Sequence, residues 1–174
     1  MLSTATLPDD QSDPADVPLA VRQLVAGLRG SKAPLVRTAV LVLPPADYLT
    51  GAEAWASALD LTPIHLGLHV AERAESRGNV RVFLDANSLL GHALDVLPVP
   101  DPTYPNPAEP GAWVWGFDAL LALLSETERA AFWLSLRQTP SKRPPLVLVL
   151  PAVWLARFGP ADPNAWGPRF TQLP

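Results

Sequence analysis

Two short stretches of this chain are apolar at almost every position, and they constrain the fold more than any other feature. Thr38–Leu43 reads Thr-Ala-Val-Leu-Val-Leu, and Leu146–Leu150 reads Leu-Val-Leu-Val-Leu between Pro144-Pro145 and Pro151. A strand with one wet face alternates apolar and polar residues. A strand without that alternation needs cover on both faces, which is the condition of a parallel sheet packed between helices. The chain is therefore expected to build an α/β layer structure around these two strands.

The remaining elements fit that frame. Pro18 to Arg29 carries Leu19, Val21, Leu24, Val25 and Leu28 at helical spacing, with glycines at 27 and 30 as the stop. Gly51 to Asp60 reads as a short helix, Pro63 to Leu68 as a strand, and His69 to Arg77 as a helix ending at Gly78. Val80 to Leu84 is expected as a strand, Asp85 to Leu97 as a helix and Ala112 to Phe117 as a strand. Ser125-Glu-Thr-Glu128 is a capping box that opens a helix to about Gln138. Ala152 to Phe158 reads as one more short helix. Pro98 to Gly111 holds six prolines in fourteen residues and is expected to form an extended loop. Strands alternating with helices imply a three-layer sandwich with a mainly parallel central sheet.

At 174 residues the chain suits one domain with a full core, expected over 19–158, with an acidic flexible tail at 1–18 and a proline-rich tail at 159–174. Asp9, Asp10, Asp13 and Asp16 in the first segment account for the formal net charge of −4, leaving 13 acids against 13 bases elsewhere. Without cysteine there is neither a disulfide nor a thiolate site. No apolar run approaches the roughly 20 residues of a membrane span. With no leader-like segment at the start, the expectation is a cytoplasmic protein.

In parallel sheets, ligands sit at the carboxyl ends of the strands. There Leu43-Pro44-Pro45-Ala46-Asp47-Tyr48-Leu49-Thr50 follows the first strand, where the pattern G-x-x-x-x-G-K-[ST] would cradle phosphates. The glycines fall on Leu43 and Tyr48 and the lysine on Leu49, so only Thr50 keeps its type. Asp118, after Trp113-Val-Trp-Gly-Phe, and Asp85, after Val-Phe-Leu, are candidates for the acid that would hold magnesium through water. Each is equally placed to cap the helix that follows it.

Three further constellations stand out. His65, His69 and Glu72 have metal-ligand spacing if helical, although Ile64, Leu66 and Leu68 alternate as in a strand. Ser88, His92 and Asp95 lie on one expected helix, where a hydrolytic triad lacks its oxyanion hole. From Arg129 onward six bases face one acid, Asp162. Within that third, Lys142, Arg143, Trp154, Arg157, Trp166 and Arg169 are candidate contacts for a partner protein or for nucleic acid.

The order of elements resembles a small P-loop NTPase core from about Thr38 to Pro151. More narrowly, Ile64-His-Leu-Gly-Leu-His-Val-Ala-Glu-Arg73 and Val114-Trp-Gly-Phe-Asp-Ala-Leu-Leu121 look like segments of the small P-loop proteins of BREX-type phage-exclusion systems. The resemblance implies a role in anti-phage defence within a multiprotein assembly. With the lysine and glycines replaced, the expectation is a noncatalytic interaction scaffold with no required cofactor, ATP and magnesium included. A nucleic-acid accessory protein using the basic C-terminal third and a hydrolase or weakly active NTPase are the alternatives.

Overall fold

A computed structural model describes residues 17–30, 32–78, 84–97, 110–139 and 144–174. The two apolar runs become the central strands, β1 (Thr38–Leu43) and β4 (Leu146–Pro151), each buried at all six positions. They pair in parallel from Thr38 opposite Leu146 to Leu43 opposite Pro151. Beyond β4 lie β3 (Gly111–Trp115) and β2 (Leu61–His65), and on the far side of β1 lies β5 (Phe170–Gln172). All pairings are parallel, and the order is β2-β3-β4-β1-β5.

Alternation along each strand sorts the core into two halves. Val40, Val42, Val114, Leu146, Leu148 and Leu150 face one helical layer, and Ala39, Leu41, Leu43, Trp113, Val147 and Val149 face the other. The second layer holds α1 (Leu19–Gly27) and a continuous helical segment after β1. That segment runs through α2 (Pro45–Thr50), a π-helical turn (Gly51–Trp55) and α3 (Ala56–Ala58). The first layer holds α4 (Leu66–Ser76), α5 (Ala86–Asp95), α6 (Asp118–Leu121), α7 (Glu126–Gln138) and α8 (Leu155–Phe158). The result is a three-layer α/β sandwich. No described helix is long and apolar enough to cross a membrane.

Several boundaries differ from the sequence reading for identifiable reasons. Helix formation after β1 begins at Pro45, not Gly51, because proline at the first helical position has its φ preset and no N–H to leave unpaired. Strand β2 ends at His65, since the His65 imidazole Nδ1 accepts the Leu68 N–H at 3.2 Å and starts α4 at Leu66. Leu68, expected in a strand, is 60% exposed on that helix. Residues 159–174 do not behave as a tail where they follow α8. Asp162 caps a 3-10 segment (Pro163–Arg169), Trp166 is 3% exposed, and β5 then adds an edge to β1. The Trp166 ring meets Trp133 edge to face at 6.0 Å, while the Trp133 indole N–H donates to the Phe158 carbonyl at 2.7 Å. Residues 80–83 of the expected third strand, most of the 98–111 loop and of the acidic segment, and Lys142 and Arg143 lie outside the described residues.

The strongest caps are acidic. Glu128 and Ser125 form the expected box on α7, and Asp85 and Ser88 form another on α5, with the Ser88 N–H donating to Asp85 Oδ1 at 2.7 Å. Hydrogen bonds from the partner serine hold both carboxyl groups below the ordinary carboxylate range. The unfolded chain therefore binds these protons more readily than the folded one. The caps' contribution is complete above the unfolded values, around pH 4 to 5, and fades as pH falls through the depressed folded values. Urea unfolding from pH 7 to pH 3 should show an acid limb that is shallower in Asp85→Asn and Glu128→Gln; an unchanged limb in both would remove this account. Trp166→Ala should lose about 3 kcal/mol in the same assay at pH 7, as for a buried aromatic and not for a tail residue.

Candidate functional site at the carboxyl ends of the strands

Three strand ends converge on one side of the sheet, and the residues there decide what it can bind. After β1, Pro44 alone separates the last strand residue, Leu43, from the helix at Pro45. The stretch aligned with a phosphate loop is thus one strand residue, one linker and a helix. Backbone N–H groups at Asp47 and Tyr48 donate to the Pro44 carbonyl at 3.0 Å and form no concave nest. The Thr50 hydroxyl donates to the Ala46 carbonyl at 2.8 Å within its own helix. Leu49 is 64% exposed.

Tyr48 turns the other way, toward the end of β3. Its hydroxyl oxygen accepts the Gly116 N–H at 2.8 Å, and its O–H reaches Asp118 Oδ1 at 3.4 Å. Burial first, and the neighbouring Asp118 carboxylate after it, push the phenol well above its ordinary pKa, so it stays protonated. Trp115 packs against the phenol ring edge to face at 5.9 Å and against His65, at the end of β2, at 4.6 Å.

Gly116 makes this convergence possible. Its φ is +67°, in the left-handed region, and a Cβ there would land on the His65 ring. Opposite it, a Cβ on Gly67 would stand 3.0 Å from the Gly116 carbonyl oxygen. Tyr48, His65, Trp115, Gly116 and Asp118 therefore form one packed cluster at the carboxyl ends of β1, β2 and β3 and on the segments that follow β1 and β3. Of these, Tyr48 and Asp118 were marked by the sequence as parts of a nucleotide site and His65 only as a metal-ligand candidate. Trp115 and Gly116 were not marked with them, although a glycine directly after an apolar strand was a local signal.

The other candidates separate. Asp118 is the first residue of α6, where Phe117 holds the cap position and no side chain caps, so its carboxylate is left to Tyr48. Asp85 is committed to the α5 capping box, away from this cluster in role. Among the described residues no three His, Asp or Glu side chains are grouped to hold a metal, and His65 serves as the α4 cap. Ser88 belongs to a capping box, while Asp95 pairs with Arg73 across helices at 3.1 Å, so neither joins His92 in a triad.

The basic third is partly structural. Arg169 lies over the Trp166 ring and donates to the carbonyls of Thr38 at 3.1 Å and Arg137 at 3.2 Å. Arg129 donates to the carbonyls of Leu121 and Leu124. Arg157 stays exposed over Phe158, next to Trp154, which is 39% exposed. Trp154 belongs to a wider set: Leu49 follows β1, Leu68 follows β2, Leu123 follows β3, and Val153 and Trp154 follow β4. All are large exposed apolar residues on segments that leave the carboxyl ends of the strands.

No family model, curated protein or solved structure matches this chain.

Tyr48→Phe should leave the buried Gly116 N–H without an acceptor and cost about 1 to 3 kcal/mol in urea unfolding at pH 7. Gly116→Ala should cost at least as much, because it adds both backbone strain and overlap with His65. A neutral Gly116→Ala would show that the cluster relaxes freely.

Proposed function

We propose that this protein is a noncatalytic, P-loop-like α/β subunit that serves as an interaction scaffold, with the carboxyl ends of its strands as the contact face. The observation that carries this reading is the Tyr48 hydroxyl seated between the Gly116 N–H and the Asp118 carboxylate. A nucleotide site on this sheet would need glycine N–H groups and a lysine after β1 and an open acid after β3. The chain supplies a helix after Pro44, an exposed leucine at the lysine position, and a tyrosine over the acid. Triphosphate thus meets neither a backbone nest nor a cation, and Asp118 has a phenol where a hydrated metal ion would stand.

The exposed apolar residues after β1 to β4 support the second half of the proposal. Leu49, Leu68, Leu123, Val153 and Trp154 would be desolvated by a protein partner, with Trp154 and Arg157 of the residue types that anchor interfaces. The sequence resemblance to phage-exclusion P-loop proteins supports reading such a partner as a member of a defence assembly. Nucleic acid is less well served, since Arg169 and Trp166 are engaged within the fold.

Calorimetric titration with ATP and magnesium should give no binding heat, and micromolar affinity would sink the noncatalytic reading. For the contact face, gentle affinity isolation from the native host should recover partners with the wild type and lose them with a Val153→Asp, Trp154→Ala double substitution that unfolds normally. Binding of DNA that weakens steeply with salt would favour the nucleic-acid reading instead.

A further inference from the structure

Away from the strand ends, α4 and α5 meet through two histidines whose buried nitrogens have no partner. His69 Nε2, on α4, and His92 Nδ1, on α5, are both shielded from solvent and make no hydrogen bond. Buried polar atoms are normally paired, so two orphans at one helix contact call for a reason. The two imidazoles are close enough to act on each other electrostatically, and Arg73 and Arg77 of α4 also act on His92. Among the described residues, the acid acting on His92 is Asp95, on α5 itself, and it is already ion-paired with Arg73. Helix α7, which also packs on α5, buries Phe132, Trp133 and Leu136 on its inner side. The α7 acid Glu128 acts on Asp85, seven residues and about 10 Å of helix from His92. Cations on the α4 side disfavour a divalent ion between the rings.

We infer that the α4–α5 contact is a proton-operated joint. A proton on His92 places a further positive charge at a contact already flanked by the solvent-reaching Arg73 and Arg77, and α5 loosens from α4 while the central sheet stays closed. Burial, and then Arg73, hold His92 below the ordinary histidine pKa, with His69 and Arg77 adding to that direction against Asp95. The unfolded chain binds this proton near pH 6.5, before the folded chain does. The contribution of the neutral ring is thus present above that pH and lost as pH falls through the lower folded value. This window opens at a higher pH than the one in which the carboxylate caps are lost.

Hydrogen exchange resolved by peptide, with intrinsic rates corrected for pH, tests the joint in the intact protein. Between pH 7.5 and 5.5 the amides of Ala86–Asp95 should lose about tenfold protection while those of β1 and β4 hold. His92→Gln should remove that pH dependence. Imidazole proton resonances of the wild type, which need no variant to fold, should show His92 titrating below pH 6.5. Unchanged α5 protection, titration of His92 at or above the ordinary range, or a paired shift of the His69 and His92 resonances on adding zinc would overturn the proposal, the last in favour of a metal clamp.

Discussion

Burial of β1 and β4 on both faces is the constraint on which the rest depends. Six consecutive pairs, twelve residues in all, are buried on both strands, so each face of the sheet has to be covered by helices. One face receives α1 and the helical segment after β1, and the other receives α4 to α8. Those crossovers bring every strand into parallel alignment and leave all the carboxyl ends on one side. The Tyr48 cluster and the exposed apolar side chains are both consequences of that shared end.

The legible parts of the sequence were those decided locally. Apolar character at every position marked β1 and β4, and the Ser125–Glu128 box marked the start of α7 to the residue. Strand β5 carried no such mark. Phe170-Thr-Gln172 is three residues long without a pattern, and its pairing is supplied by the open edge of β1. Prolines at 160, 163 and 168 signalled a tail, yet they sit in a segment anchored by Trp166 and Arg169, whose partners lie far away in sequence. The start of α4 was hidden because a histidine, not a serine or aspartate, accepts the capping N–H.

The site was half legible for a similar reason. Tyr48 stood where a nucleotide-binding chain would carry glycine, and Asp118 near where one would carry its acid, so each could be picked out separately. Their contact spans 70 residues and depends on the left-handed turn at Gly116, which only the folded chain reveals. His65 shows the economy of the arrangement: one ring starts α4, packs on Trp115 and covers Gly116.

The π-helical turn at Gly51–Trp55 bears on how such a cluster arises. Tyr48 precedes the turn and points to the strand ends, whereas Ala52, Trp55 and Ala56 within and after it pack on the sheet. Each helical residue rotates the chain by about 100°, so one residue more or fewer in an ordinary helix would swing one of these groups off its target. A turn wide enough to absorb an extra residue lets both orientations coexist in one helix.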